Sequence, residues 1–132
     1  MTMSDPVSDM LTRIRNGYMA HLEKVTIPYS KYKEELAGIL VKLGFAKSVK
    51  TEGNTGKTRM IEVILAYEGR EPKLTDIQKV SKPSLKVYVN HSSIPKVLGG
   101  LGKVVISTSK GLMTGKEAKA KGLGGEVVFK IW

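Results

Sequence analysis

Cysteine is absent from this chain of 132 residues, and histidine occurs only twice. Without cysteine the chain has no disulfide, no thiolate nucleophile and no zinc finger of the usual kind. His21 and His91 lie far apart in the sequence, and neither stands beside a carboxylate pair at helical spacing. We therefore expect no metal site, no Ser-His-Asp triad and no cofactor. Nothing in the sequence favours an enzyme.

Long apolar runs are also missing, since none approaches the ~20 residues that a membrane-spanning helix needs. The first residues, Met1–Pro6, contain no basic stretch followed by an apolar one. We therefore expect no secretory signal, no membrane partner and a cytoplasmic location. A hydrophobic content of 41% is ordinary for a globular protein, and the length allows one domain or two very small ones sharing a core.

Acidic residues are scarce in the second part of the chain. Residues 1–78 hold 12 basic and 10 acidic residues, a net charge of +2, whereas residues 79–132 hold 10 basic and 2 acidic residues, a net charge of +8. A surplus concentrated in this way favours a surface that faces a polyanion such as nucleic acid. The alternative is a lysine-rich face that is simply solvated.

Two helices are predicted in the first half of the chain. Pro6 suits the first position of a helix that Ser4 or Asp5 caps, and apolar residues follow it at helical spacing. Ser30 can cap a second amphipathic helix, and Gly44 is a natural stop for it. The strands predicted around these helices are 25–27, 45–51 and 58–66, the last two joined by a hairpin loop at 52–57.

The second half is predicted to be mainly β. A polar segment at 67–73, with Gly and Pro, is typical of a linker. Thr114 and Glu117 have capping-box spacing, which predicts a short helix ending before Gly122. The strands predicted here are 74–80, 85–89, 104–107 and 127–131. The sequence thus predicts an α+β fold with two small α/β subdomains, α-β-α-β-β at 1–66 and mainly β with one short helix at 74–132.

A glycine-rich stretch ending in Gly56-Lys57-Thr58 superficially suggests a nucleotide-binding loop. A P-loop has four residues between its first glycine and the Gly-Lys-Thr, whereas only Asn54 and Thr55 follow Gly53 here. The stretch also joins two predicted strands, while a P-loop leads from a strand into a helix. The pattern therefore favours a hairpin turn over a phosphate-binding loop.

Consecutive hydroxyls end the predicted strand at 104–107, in the run Ser107-Thr108-Ser109-Lys110-Gly111. Such hydroxyls either satisfy backbone groups in a turn or, with the lysine beside them, bind phosphate and sugar. Gly124-Gly125-Glu126 follows later, and its glycines allow another backbone to approach closely. Glu126 is unusual in a basic half, so we interpret it as a specificity element or as an organiser of neighbouring side chains.

Two further groups of residues have alternative interpretations. Tyr88 either packs in the core of its strand or stacks on a base. Arg13, Arg15 and Asn16 are either ordinary helix-surface residues or donors to phosphate and ribose. The residues alone do not choose between these roles.

Several separated blocks resemble one known family. The sequence is similar to bacterial small-subunit ribosomal protein S8 in its opening, Asp5-Pro6 followed by 9–16 (DMLTRIRN). It is also similar in later blocks, which are Gly100-Leu101-Gly102, 107–111, Met113-Thr114 and 124–126. Residues 80–83 (VSKP) and 94–97 (IPKV) also fit, so the resemblance covers essentially the whole chain. It implies two small α/β domains, in agreement with the order of elements predicted above.

The resemblance also implies a function. It implies primary binding to a helical junction in the central domain of small-subunit ribosomal RNA, assistance in subunit assembly beside neighbouring ribosomal proteins, and possible repression through messenger RNA of the chain's own operon. Lys31 and the helix with Arg13, Arg15 and Asn16 are implied as secondary contacts, and Lys86 stands where the family commonly has arginine. The main RNA contacts that it implies are Tyr88, Ser107, Thr108, Ser109, Lys110, Gly124, Gly125 and Glu126.

Three other classes of function remain as alternatives at this point. The basic charge alone also permits a DNA-binding architectural protein. A small phosphotransferase using Lys57 and Thr58 would need to bind a nucleotide. A pure protein-interaction module would show no salt-sensitive association with RNA.

Overall fold

The computed structural model describes residues 6–53, 59–100 and 102–132. Within these ranges the chain divides into a first compact unit, Pro6–Leu74, and a second one, Thr75–Trp132. The predicted helix cap at Ser4 or Asp5 and most of the predicted hairpin loop at 52–57 lie outside the described residues. The predicted domain boundaries, with their linker at 67–73, stay a prediction.

The first unit begins with the predicted α-β-α-β-β order and adds one small hairpin. Pro6 begins the first helix, as its fixed φ angle favours. The added hairpin consists of two-residue strands within the segment predicted as a linker. The elements of the unit are α1 Pro6–Met19, β1 Lys24–Pro28, α2 Lys31–Lys42, β2 Ser48–Glu52, β3 Met60–Ile64, β4 Tyr67–Glu68 and β5 Glu71–Pro72.

One face of a three-stranded antiparallel sheet carries the core of the first unit. The strand order is β1-β3-β2, and the register places Val25 opposite Val63 and Ile27 opposite Ile61. These four side chains are buried and point to one side, while their neighbours along each strand are more exposed. Helix α1 packs against β1 and α2 against β2. Each fully buried aliphatic side chain stabilises this packing by roughly 1.5–3 kcal/mol.

Both predicted ends of α2 are confirmed by their local chemistry. The Ser30 hydroxyl accepts a hydrogen bond from the Lys33 N–H at 3.1 Å, which satisfies one of the free donors of the first turn. Gly44 follows the last turn with a φ of +86°, in the left-handed region that glycine adopts without steric cost.

The second unit is mainly β with one short helix, as predicted. One sheet has the strand order Ile77–Lys79, Gly125–Ile131, Lys103–Thr108 and Gly111–Thr114, and the short strand Tyr88–Val89 also pairs with Gly125–Ile131. The strand expected at 85–89 is shorter than predicted, because Lys82 and Leu85 close a turn just before it. A strand at Gly111–Thr114 was not predicted. The elements are β6 Ile77–Lys79, β7 Tyr88–Val89, β8 Lys103–Thr108, β9 Gly111–Thr114, α3 Gly115–Ala120 and β10 Gly125–Ile131.

Helix α3 covers one face of this sheet. Its Ala118 is buried in an apolar cluster with Ile106, Met113 and Val127, which come from three neighbouring strands. The predicted capping box is present at its start, since the Thr114 hydroxyl accepts from the Glu117 N–H at 3.1 Å. The helix therefore fixes which face of the sheet is inside at this end of the unit.

Candidate nucleic-acid interface

Three of the predicted contact residues lie side by side on neighbouring strands. Glu126 of β10 is directly opposite Tyr88 of β7 on one side and Ser107 of β8 on the other. Directly opposite residues of antiparallel strands present their side chains on the same face. Tyr88, Glu126 and Ser107 therefore form one line across the sheet, which we call the polar row.

The polar row lies on the face of the sheet opposite to α3. The residues next to it along the strands, Ile106 and Val127, are paired with each other and belong to the cluster that α3 covers. Because side chains alternate along a strand, Ser107 and Glu126 point the other way. One side of these strand ends is thus closed by apolar packing, and the other carries the polar row.

Tyr88 is a surface residue, with 69% of its area exposed. The core-packing alternative for this side chain is therefore excluded. A large aromatic ring left this exposed is uncommon among the described residues, where the other exposed tyrosine, Tyr32, has a lower exposure of 38%. An open ring face of this kind can stack on a planar partner.

Glu126 organises basic side chains around the row. Its carboxylate lies 3.6 Å from the Lys86 ammonium, and the side chains are 24% and 48% exposed respectively. Burial lowers the pKa of Lys79, the Lys86 ammonium lowers it further, and the Glu126 carboxylate acts in the opposite direction. One carboxylate thus interacts with two lysines, and the local charge stays positive.

The hydroxyl run lies at the turn of the hairpin formed by β8 and β9, and its members have different roles. The Thr108 hydroxyl accepts from the Lys110 N–H at 3.1 Å and donates to the Gly111 carbonyl at 2.8 Å, so it serves the turn itself. In the described part of the chain, the hydroxyls of Ser107 and Ser109 have no hydrogen-bond partner. Ser109 and Lys110 are exposed at the tip, available to a ligand.

The two glycines before Glu126 allow a close approach, but the backbone that approaches belongs to this chain. A methyl group on Gly125 would collide with the Ser107 carbonyl, whose carbon would lie only 2.9 Å away. A methyl group on Gly124 would lie 2.7 Å from the Asn90 Cα and still closer to the Val89 carbonyl oxygen. Glycine at these positions lets β7 and β8 pair tightly with β10, which builds the polar row.

The remaining predicted contacts belong to the first unit. Arg13 pairs with Asp9 at 3.0 Å and donates to the Thr26 carbonyl at 3.3 Å, so its guanidinium already bonds within the fold. Arg15 lies two positions further along α1 and therefore on another side of the helix. Asn16 and Lys31, the latter at the start of α2, are exposed. These four residues are not part of the polar row.

Two residues beside the polar row were not identified from the sequence. Lys79 is electrostatically coupled to Lys86 and Glu126. Ser81 is buried and bonds to the backbone of Val87, next to Tyr88. No local pattern in the sequence marks either residue, because their proximity to Glu126 and Tyr88 depends on pairing across the sheet.

The described residues offer little for other kinds of site. No group of three or more acidic or histidine side chains within 6–53, 59–100 and 102–132 could hold a metal ion. None of the helices in these ranges has the length and apolar character that crossing a bilayer takes. The stretch with Lys57 and Thr58 lies outside the described residues. Gly102 is followed by the strand β8, whereas the glycines of a dinucleotide-binding turn lead into a helix.

Comparison with known proteins identifies the family. The family model of ribosomal protein S8 matches residues 5–132. The small ribosomal subunit protein uS8 of Caldanaerobacter subterraneus subsp. tengcongensis is 50% identical to this chain, that of Alkaliphilus oremlandii is also 50% identical, and that of Clostridium novyi is 47% identical. Each alignment covers all of both chains. The resemblance predicted from the sequence is therefore confirmed, and the chain belongs to the ribosomal protein S8 family.

Proposed function

We propose that this chain is a structural, non-catalytic constituent of the small ribosomal subunit in the cytoplasm. In this proposal it binds a helical junction in the central domain of small-subunit ribosomal RNA and so assists subunit assembly beside neighbouring ribosomal proteins. The observation that carries the proposal is the polar row, where an exposed aromatic ring, a carboxylate and a hydroxyl with no hydrogen-bond partner among the described residues lie on one face of a strongly basic unit.

The chemistry of the polar row suits RNA better than a regular DNA duplex. The major groove of A-form RNA is too narrow for side chains, whereas its shallow minor groove displays 2′-hydroxyls and base edges. Ser107 and Ser109 can donate to or accept from such groups. Tyr88 can stack on an exposed base, a contact generally worth about 1–3 kcal/mol. Lys110, at the hairpin tip, can neutralise a phosphate.

Glu126 has two tasks in this proposal. In the free protein its carboxylate neutralises part of the charge of Lys86, 3.6 Å away. When a phosphate approaches, Lys86 can turn to it, and the carboxylate can then accept a hydrogen bond from a 2′-hydroxyl or a base amino group. An acidic residue can thus contribute to RNA binding because it recognises donors that a phosphate-binding lysine cannot.

The first unit supplies secondary contacts in this proposal. Asn16 and Lys31 are exposed, and a donor at either position can reach phosphate or ribose. Arg15 adds a further positive charge on α1. Arg13 is a weaker candidate, because it already bonds to Asp9 and to the Thr26 carbonyl.

Footprinting on small-subunit ribosomal RNA, with nonspecific RNA as competitor, tests the proposal as a whole. We expect protection confined to a junction in the central domain. Replacing both Ser109 and Lys110 by alanine should weaken binding to that junction by roughly 1–3 kcal/mol per specific contact. The matched control is Lys119→Ala, which removes the same charge from an exposed position on α3, on the opposite side of the sheet.

The outcomes of this experiment separate the alternatives. Equal affinity of the double variant and the parent would show that the hairpin tip does not bind the RNA. Equal affinity for the junction and for its DNA counterpart would favour a DNA-binding architectural protein, since 2′-hydroxyl contacts require RNA. Absence of any salt-sensitive RNA binding would favour a protein-interaction module instead.

Translational autoregulation is a finer part of the proposal. The same polar row would bind messenger RNA of the chain's own operon if that RNA contains a copy of the junction. A transcript of the operon should then compete with the ribosomal junction for the protein, and the Ser109/Lys110 double alanine variant should lose affinity for both RNAs in parallel. A transcript that does not compete would limit the function to the ribosome.

A further inference from the structure

We propose that Ser81 is a positioning residue of the RNA interface, an inference that rests on the proposed function. Ser81 need not touch RNA to have this role. Its buried hydroxyl holds the segment 82–87 against β10, so that Lys86 and Tyr88 are presented beside Glu126.

A closed set of hydrogen bonds joins Ser81, Val87 and Val127. The Ser81 side chain is 1% exposed, and its hydroxyl oxygen accepts from the Val87 N–H at 2.9 Å. The Ser81 N–H donates to the Val127 carbonyl at 3.1 Å, and the Val127 N–H donates to the Val87 carbonyl at 2.8 Å. The middle of β10 is thereby tied to both ends of the segment.

The turn within the segment contributes little packing of its own. Two backbone hydrogen bonds between Lys82 and Leu85, of 2.9 and 3.0 Å, close it. Leu85 closes the turn and is nevertheless 68% exposed. Val87, by contrast, packs against the apolar cluster under α3. The bonds of Ser81 therefore hold Val87, which points inward, and its two neighbours Lys86 and Tyr88 point outward.

Strand β7 is too short to set its own register. It contains two residues, and its pairing with β10 places only Tyr88 opposite Glu126 and Val89 opposite Gly125. A slip of one residue would turn Tyr88 to the other face of the sheet, because side chains alternate along a strand. One residue before the strand, Val87 is held on both sides: its carbonyl accepts from Val127 of β10, and its N–H donates to Ser81. Together these two bonds hold the register in which Lys86 and Tyr88 share the face of Glu126.

The test measures binding of Ser81→Ala to a synthetic RNA of the central-domain junction. We expect about tenfold weaker binding, since a buried donor then loses its partner. Combining Ser81→Ala with Tyr88→Ala should cost less than the sum of the single losses, because Ser81 acts through Tyr88. Hydrogen exchange of the Val87 amide in the free variant should be faster than in the parent.

The matched control is Thr114→Ala. Thr114 is also nearly buried, at 6% exposure, and its hydroxyl also accepts from a backbone N–H, but it serves the start of α3 on the other face. This variant should bind the junction like the parent. The double variant of Thr114→Ala and Tyr88→Ala should bind the junction like Tyr88→Ala alone, because Thr114 does not act through Tyr88.

The outcomes distinguish the inference from the proposed function. If the parent does not bind the junction, both fail. If the parent binds and Tyr88→Ala weakens binding, but Ser81→Ala binds like Thr114→Ala, only the role of Ser81 is overturned. If Ser81→Ala does not fold, hydrogen exchange of the Val87 amide is measured in the parent instead. Slow exchange of this amide supports the inference, and exchange as fast as that of an exposed amide overturns it.

Discussion

Gly125 illustrates how a single residue determines whether the polar row forms. The position needs glycine because of space, since a methyl group there would collide with the backbone of Ser107 on the neighbouring strand. Its role differs from that of Gly44, whose φ of +86° requires the conformational freedom of glycine. The sequence predicts a close approach at Gly124-Gly125, and only the strand pairing shows that the approaching backbones belong to the neighbouring segments β7 and β8 of this chain.

Replacing Gly125 by alanine should therefore destabilise the protein. Backbone cannot move aside like a flexible side chain, so we expect the free energy of unfolding to fall by about 1–3 kcal/mol, together with weaker binding to the RNA junction. Urea unfolding monitored by circular dichroism measures the first effect. Gly38→Ala is the control, because a methyl group there meets nothing within 4 Å and a helix gains about 1 kcal/mol from alanine. Equal stability of the Gly125 variant and the parent would contradict the close approach.

At the scale of secondary structure, the hairpin of β8 and β9 combines a structural hydroxyl with others that are open to a ligand. The sequence allowed two roles for the run 107–110 as a whole: hydrogen bonding within a turn or binding of phosphate and sugar. The structure divides it, because Thr108 bonds to Lys110 and Gly111 within the turn. Ser109 has no such partner in the described ranges.

This division predicts opposite results for two neighbouring substitutions. Thr108→Ala should lower the free energy of unfolding by about 1 kcal/mol, since the turn loses hydrogen bonds. Ser109→Ala should leave stability within about 0.5 kcal/mol of the parent, as for an ordinary surface substitution, but should weaken RNA binding. Thermal unfolding and a filter-binding titration on both variants check the pair. A stability loss in Ser109→Ala as large as that in Thr108→Ala would contradict the assignment.

Elements differed in how well their sequences predicted them. The ends of α2 and the start of α3 were predicted because Ser30, Gly44 and Thr114 act on groups within a few residues of themselves. The hairpin of β4 and β5 and the strand β9 were not predicted. Such short strands have too few residues for an alternating pattern, and their pairing partners alone make them strands.

On the scale of the whole molecule, the charge is distributed unevenly. Residues 79–132 carry a net charge of +8 and residues 1–78 only +2. In the proposed function, long-range attraction of this kind would bring the RNA to the second unit, and the polar row would recognise it at short range. The two contributions differ in how they respond to salt.

The affinity for the RNA junction should fall as salt increases, with a slope set by the number of phosphates neutralised. Removing one lysine that contacts phosphate should reduce that slope by about one. We expect this for Lys110→Ala but not for Lys119→Ala, and titrations at several salt concentrations measure it. Lys86→Ala should weaken binding more than Lys110→Ala, because Lys86 both binds phosphate in the proposed function and offsets part of the charge of Glu126. Equal slopes for the Lys110 and Lys119 variants would indicate nonspecific attraction only.

The sequence by itself determined the features that depend on nearby residues: the α-β-α-β-β order of the first unit, the helix ends, the hydroxyl run and the unequal charge. Several separated motifs also identified the family. The tertiary structure alone decided that Tyr88, Glu126 and Ser107 lie in one row and that Ser81 bonds beside them. The reason is that strand register depends on backbone hydrogen bonds and packing between segments far apart in the chain, which no local pattern of residues specifies.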